Sequence, residues 1–437
     1  MQQGFVRISA RIDDEKKAIG LLISILLHVE DPPLLVKEDT AMPKIGFLRA
    51  CVCTLLLLGA IAPGGSLHAQ GIALTVVGPV NRSMGGAGTA APLDAMGALH
   101  WNPGSISALP SNEIGFGVEL LNADIKTSSS LFGSVTGDAG WSSAPAIGWV
   151  HHLEGTPMTI GLGVFGVAGF KNNMPSNLLF SGGVPPGAPA YASAEILQIA
   201  PTLSYQLTDK LSVGLAPTIT TETVNFMPLG PSVITPVPTP GQGNRMHWGG
   251  GFQIGAFYKG DNGVNAGFSV KSKQWIEELK FFTPTGTTHF NLDYPMILSL
   301  GLSYTGMENW VFAIDGRYFD YEHTDGYREL GWRSVFAGAI GAQYRMSDQL
   351  TARLGYNFNQ NPIQSGVVAT NLLSPLIQDQ NVSAGATYKF SSNVDFNLAY
   401  VYLVKNSVTG PLPGVPGATV SNEISAHSMI AGVSVRY

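Results

Sequence analysis

The sequence is short of charge, of cysteine and of long apolar runs. Only 12% of its 437 residues are Asp, Glu, Lys or Arg, against about 25% in an ordinary soluble protein. No apolar run reaches the roughly eighteen residues that a membrane helix needs, although 45% of the residues are hydrophobic. Apolar content without apolar runs means that apolar and polar residues alternate. Both cysteines, Cys51 and Cys53, lie in one short apolar segment near the N-terminus. Once that segment is removed, no disulfide, thiolate nucleophile or cysteine metal site is possible. A net charge of −6 and a pI near 5.8 exclude the basic excess or stripe of a nucleic-acid binder.

The apolar segment is itself a targeting signal. Met42-Pro43-Lys44 and Arg49 make a short basic n-region, Cys51 to Ala62 an h-region, and Leu67-His68-Ala69 a cleavage site before Gln70. Residues 1–41 are charged and do not read as part of an export signal, so translation is expected to start at Met42. The expected division is 1–41 as an upstream extension, 42–69 as signal peptide, 70–110 as a plug and 111–437 as one domain.

The rest of the chain has a period of two. Trp310, Phe312, Ile314 and Tyr318 share one face of a strand, and Val311, Ala313, Asp315, Arg317 and Phe319 the other. Leu350, Ala352, Leu354, Tyr356 and Phe358 oppose Thr351, Arg353, Gly355, Asn357 and Asn359 in the same way. Strands of about ten residues with one lipid-compatible face are the signature of transmembrane barrels. Fourteen such segments can be counted, starting near residues 113, 143, 158, 194, 211, 247, 264, 295, 309, 333, 349, 380, 393 and 423. An open sheet edge cannot sit unpaired in hydrocarbon. The expected fold is therefore all-β, a closed 14-stranded antiparallel transmembrane β-barrel.

Connections alternate in length. Short ones include 208–210, 260–263 and 346–348; long ones are 123–141, 170–193, 226–246, 282–293, 360–379 and 406–421. Short turns are periplasmic and long loops extracellular in such barrels, which puts both termini in the periplasm. Tyr205, Tyr258, Tyr304, Tyr344 and Tyr388 each precede a short turn and read as an interfacial aromatic girdle. Tyr437 ends the last strand as a terminal aromatic.

Residues 70–110 break the pattern. They are rich in Gly and Ala, nearly uncharged and apolar enough to pack, unlike a disordered tail. A barrel of this size has internal space, so the segment reads as a plug inside the lumen. Gly85-Gly86-Ala87-Gly88, Asp94, Gly97 and Asn102-Pro103 resemble the hatch of the FadL/TodX (OMPP1) outer-membrane transporters. Tyr294-Pro295 and the 332–345 strand extend the resemblance over the mature chain. The resemblance implies passive transport of long-chain fatty acids or similar hydrophobic compounds: capture by extracellular loops, a pocket above the hatch, and lateral release at a kinked third strand. Gly85, Gly86, Gly88, Asp94, Asn102 and Pro103 are the expected hatch residues. Two departures stand out. The family's Asn-Pro-Ala is Asn102-Pro103-Gly104 here, and Thr220-Thr221-Glu222 replaces a basic residue expected near the outer end of the fifth strand, which favours an uncharged cargo.

Several residues are candidates for cargo contact. Leu178, Leu179 and Phe180 form an apolar cluster on the 170–193 loop, and Val367, Val368, Leu372, Leu373, Leu376 and Ile377 one on the 360–379 loop. Each loop either captures cargo or folds inward as a cap. Lys271, Lys273, Arg317, Arg353 and Arg436 face inward by parity. Lys271, Arg317 or Arg353 could meet a carboxylate, or all could belong to a lumen charge network with Asp315 and Asp395. Pro201 and Pro217 fall opposite each other across the 208–210 turn and predict a local break in the wall. Gly161, Gly163, Gly166 and Gly169 would permit a kink in the third strand.

His427-Ser428 could suggest an outer-membrane esterase, but parity puts the two on opposite faces and no acid accompanies them. His151-His152 lacks a third metal ligand. Neither enzymatic activity, nor a metal, nor a cofactor is expected. The partners expected are a hydrophobic small molecule, outer-membrane lipid and, during biogenesis, the barrel-assembly machinery, with the barrel a monomer. The rival reading is a non-transporting barrel serving as anchor or adhesin.

Overall fold

A computed structural model describes residues 71–74, 77–131, 133–174, 190–227, 245–283 and 286–437. The expected upstream extension, the signal peptide and the Leu178–Phe180 cluster lie outside the described residues.

Fourteen strands form a closed antiparallel barrel. They are β1 Glu113–Ser129, β2 Gly133–His152, β3 Met158–Met174, β4 Ala190–Gln206, β5 Leu211–Met227, β6 Met246–Lys259, β7 Val264–Lys271, β8 Met296–Tyr304, β9 Trp310–Asp320, β10 Val335–Arg345, β11 Leu350–Asn359, β12 Gln380–Lys389, β13 Val394–Pro411 and β14 Thr419–Arg436. Each pairs with its sequence neighbours, and β1 closes the ring on β14. The alternation sorts as expected. On β1, Phe116, Val118 and Leu120 are exposed on the lipid side, while Glu119 faces inward, buried. Tyr205, Tyr258, Tyr344 and Tyr388 are exposed beside the short turns.

The wall is not of even height. Strands β7 to β12 have 8 to 11 residues, whereas β1 to β5, β13 and β14 have 17 to 20. A membrane needs only about 9–11 residues per tilted strand. The surplus corrects three expected loops. Most of 123–141 is strand, with a turn at residues 130–131, and 170–193 and 406–421 likewise begin and end as strand. Beyond the bilayer both faces of a strand are wet, so alternation fades while the hydrogen-bonded ladder continues.

Among the described residues, two long connections, 360–379 and 321–334, carry buried side chains. The 360–379 segment turns inward: Val368, Leu372, Leu376 and Ile377 are buried. A seventh long connection, 321–334, was not singled out in the sequence. It carries Tyr321, Tyr327 and Trp332, which pack edge-on and tilted at ring separations of 4.7–5.2 Å. Between β7 and β8 lie a two-residue strand, Trp275–Ile276, and a small hairpin, Leu279–Thr283 with Gly286–Phe290. Lys273 sits past the end of β7 rather than in the lumen wall, paired with Asp293 at 3.3 Å and Asp325 at 2.9 Å.

Candidate functional site

The N-terminal segment fills the barrel. Helix α1, Pro79–Ser83, is followed by a tight turn in which Gly85 and Gly86 have φ of 66° and 90°, backbone that favours glycine. Helix α2, Ala95–Trp101, starts at Asp94, whose side chain accepts from Gly97 N at 2.9 Å. Burial pushes the Asp94 carboxyl up to about 6, against the pull of the Gly97 N–H and the Arg353 charge. A 3₁₀ turn, Pro103–Ala108, follows, with Pro103 at its first position. Asn102 ties the parts together: its amide accepts from Gly104 N and donates to Thr89 O and to Ala256 O of β6, all at 2.9–3.0 Å. Met84, Met96, Leu99 and Ile106 are fully buried, each contributing about 1.5–3 kcal/mol to the seat.

The wall is cut to receive this plug. A Cβ on Gly355 of β11 would lie 1.9 Å from Gly85 N, and one on Gly267 of β7 2.1 Å from Thr89 O. On the other side, a Cβ on Gly148 of β2 would lie 2.8 Å from Met96 N, and one on Gly214 of β5 2.3 Å from Pro103 C. Inward glycines around the ring thus let strand backbone touch plug backbone. The departure at Gly104 has the same cause, because a Cβ there would stand 2.9 Å from Gly255 O.

Polar fasteners complete the seat. Asp315 of β9 accepts from Gly88 N, Thr89 N and Thr89 Oγ1 at 2.8–2.9 Å and from Arg317 at 2.5 Å. Arg317 in turn donates to Gly86 O at 2.5 Å and stacks 3.5 Å above the Trp101 ring. Arg353 donates to Gln343 and Thr387, both at 2.7 Å. Arg436 pairs with Asp395. Of the inward charges expected from parity, Arg317 and Arg436 are paired, with Asp315 and Asp395, while Arg353 is held by neutral side chains. Lys271 is buried with its ammonium on Gln198 Oε1 at 2.9 Å.

Above the plug lies a cavity of about 300 Å³, at the small end for ligand pockets. Leu121, Ile125, Ile196, Leu376 and Ile424 give it an apolar lining, and Ile72, Ala73 and Leu74 form part of its wall. Lys271, Arg317 and Arg353 do not line it. Its charged lining residues are Arg82, Glu119, Lys171 and Glu195.

The cavity meets a break in the barrel. The β2–β3 ladder runs from His152/Thr159 only to Ala146/Phe165. Beyond that, β2 pairs with β1 alone and β3 with β4 alone. β3 kinks between Gly166 and Ala168, as its glycines allowed, and turns Val167 inward, fully buried. The freed backbone is taken up by the plug's leading residues: Leu74 N donates to Val167 O at 2.9 Å, and Ala73 bridges to Ala168. Higher up, β2 and β3 approach again, with Gly137 against Asn172. Residues 139–145 and 166–171, the two sides of this gap, all but Trp141 and Val167 line the cavity, as do Glu195 and Met246, which are exposed.

The second expected break is present but sealed. The β4–β5 ladder skips from Ile199/Ile219 to Leu203/Leu215, and the skipped register sets Pro201 against Pro217. On the lumen side, Gln274 accepts from Thr218 and Thr220 at 2.6 and 3.0 Å and covers the interruption. Glu222, where a base was expected, is buried on the lumen side, and among the described residues neither carboxylate oxygen is hydrogen-bonded. Ser428 and His427 face opposite sides: Ser428 is buried and donates to Glu119 Oε1 at 2.5 Å, while the exposed His427 meets Tyr400 at 2.6 Å. They cannot act together on one substrate.

A closed fourteen-stranded barrel with a lipid-compatible outside and an N-terminal stopper defines an outer-membrane β-barrel that is plugged rather than open. The chain belongs to the outer membrane protein transport protein family (OMPP1/FadL/TodX), which matches residues 61–437. This is a family of transporters of hydrophobic compounds in the bacterial outer membrane and not a family of enzymes. Similar solved structures include the toluene transporter TodX of Pseudomonas putida, at TM-score 0.67 and 18% identity over 83% of this chain and 99% of that one. The toluene transporter TbuX of Ralstonia pickettii aligns at TM-score 0.64 and 17% identity over 83% and 99%. A FadL homologue of Pseudomonas aeruginosa aligns at 0.65 and 15% over 84% and 99%. At these identities the likeness is one of fold. A search of curated proteins returned no match.

Proposed function

We propose that this protein passes long-chain fatty acids or similar hydrophobic compounds through the outer membrane by a lateral route. Cargo is captured at the end with long connections, held in the cavity above the hatch, and released sideways between β2 and β3. The observation that carries this reading is the gap itself: its two unpaired strand segments line the same cavity whose inner wall is apolar. A plug seated by backbone contact around the ring argues against release straight through the lumen. Short turns at one end and long connections at the other support an orientation with both termini in the periplasm.

The gap is directly testable. A Cβ on Gly169 has Ala194 O of β4 as its nearest neighbour, at 3.0 Å, and no β2 atom within 4 Å. Gly169→Trp therefore fills the opening from the β3 side. Uptake of a labelled cargo is expected to fall by at least about tenfold, equivalent to about 1.4 kcal/mol added to the barrier to passage, with equilibrium binding by the purified protein retained. Unchanged uptake would refute lateral release here.

Leu178, Leu179 and Phe180 are proposed to take part in capture. Deleting residues 175–189, between the described ends of β3 and β4, is expected to abolish uptake while the barrel still assembles. An anchor or adhesin would show no effect and would retain no extractable hydrophobic molecule by mass spectrometry. The uncharged alternative cargo is favoured by the toluene transporters among the similar structures.

A further inference from the structure

One ion pair between plug and wall lines the cavity. Arg82, in the plug's helix α1, meets Glu119 of β1 through two contacts, Nε to Oε2 at 3.1 Å and Nη2 to Oε1 at 2.5 Å. Ser428 of β14 buttresses the same Oε1 at 2.5 Å. The side chains of Arg82 and Glu119 are only 3% and 6% exposed. Yet both line the cavity, whose other charged residues, Lys171 and Glu195, are exposed at its mouth. Arg82 is thus the cation of the enclosed part. Its Nη1 has no hydrogen bond among the described residues, so a buried guanidinium presents unpaired N–H donors at the cavity. Among the described residues, this is also the one salt bridge between plug and wall.

A guanidinium with a free edge suits a carboxylate, which it can bind through charge-assisted hydrogen bonds. The apolar lining suits a hydrocarbon chain. We propose that Arg82 is the head-group residue of this cavity: it receives the carboxylate of an amphiphilic cargo while the tail lies along Leu121, Ile125, Ile196, Leu376 and Ile424. Glu119 is then a built-in competitor. It neutralises Arg82 when the cavity is empty of anion and repels an entering carboxylate, so the two negative groups share one cation. Cargo that wins Arg82 weakens the ion pair between α1 and the wall. This assignment rests on the transport reading and names its substrate class. It also places the anchor for an anion on the hatch, whereas the family resemblance implies one on β5.

The test compares palmitate with hexadecane, equal in chain length and different in head group, binding to the full protein in lipid nanodiscs. Glu119→Gln removes the competitor and keeps a hydrogen-bonding shape. It is expected to tighten palmitate by about tenfold and to leave hexadecane unchanged. Arg82→Gln alone strands a buried carboxylate and could prevent folding, so the Arg82→Gln/Glu119→Gln double variant is used. Relative to Glu119→Gln it should lose at least about tenfold in palmitate binding, again without effect on hexadecane. Equal shifts for both cargoes would mean that the pair only holds the plug, and no shift for either would mean that the head group lies elsewhere; both outcomes overturn the assignment. Wild-type protein that binds neither molecule would overturn the transport reading itself, and the assignment with it.

Discussion

Gly355→Val is expected to unseat the plug and turn a closed barrel into a conducting one. The Cβ position at Gly355 lies 1.9 Å from Gly85 N and 2.3 Å from Met84 C. Those atoms are backbone, and they belong to a turn fixed by positive φ at Gly85 and Gly86. Neither a rotamer change nor a small shift can make room for an isopropyl group. Overpacking ordinarily costs about 1–3 kcal/mol where side chains can move, and a backbone-to-backbone contact belongs at or above the top of that range. The barrel does not need the plug for its own ladder, so the strands should still close. Single-channel recording should therefore find steady conductance in the variant and none in the wild type. Heat-modifiable electrophoretic mobility should remain, as the sign of a folded barrel. Gly316→Val is the control: that position faces lipid and has nothing within 4 Å of its Cβ. A silent Gly355→Val, or a conducting Gly316→Val, would show that the glycine ring is not what seats the plug.

The second large effect is expected at Asp315. Its carboxylate is the acceptor for two plug amides and a plug hydroxyl, and the counter-ion of Arg317, with both charged side chains 1% exposed. Asp315→Ala leaves the guanidinium without its anion and the Gly88 and Thr89 amides without an acceptor. Breaking a buried pair from one side costs about 3–5 kcal/mol, and each stranded amide about 1–3 kcal/mol more, not additively. The plug should then open far more often than the barrel. Hydrogen exchange is the direct measurement, with Gly88 and Thr89 losing protection while strand amides keep theirs. Replacing both partners, in Asp315→Ala/Arg317→Met, removes the stranded charge and should recover part of the loss. No recovery in the double variant would mean that the lost amide acceptors, and not the charge, set the effect.

The two predictions mark different depths of legibility. Asp315 and Arg317 were readable because a charged residue at an inward strand position needs a partner, and parity put them on one face. That Asp315 should grip the plug's Gly88 and Thr89 was not readable, since those partners are 226 and more residues away in sequence. Gly355 carried no signal at all. In a strand of alternating residues a glycine on the inward face reads as any small residue, and only a second backbone passing at contact distance makes it indispensable. Arg82 was missed for a related reason. As the lone arginine of a glycine-rich segment it looked incidental until β1 supplied Glu119 and the pair lined the cavity.

By itself the sequence determined the barrel. Period-two alternation, an even number of segments and short turns are local properties, and in hydrocarbon they admit only a closed ring, because no backbone group there may go unpaired. It also permitted a bend in β3 and predicted that Pro201 and Pro217 would interrupt the wall, since glycine and proline act on the backbone where they stand. The tertiary structure decided what those breaks mean. Among the described residues the β2–β3 gap borders the cavity, and the plug's Ile72–Leu74 occupies the freed edge of β3 there, whereas Gln274 closes the β4–β5 break from within. Whether an opening in a wall is a route depends on what stands behind it, and that is set by contacts between residues 54 and more positions apart, which no local pattern encodes.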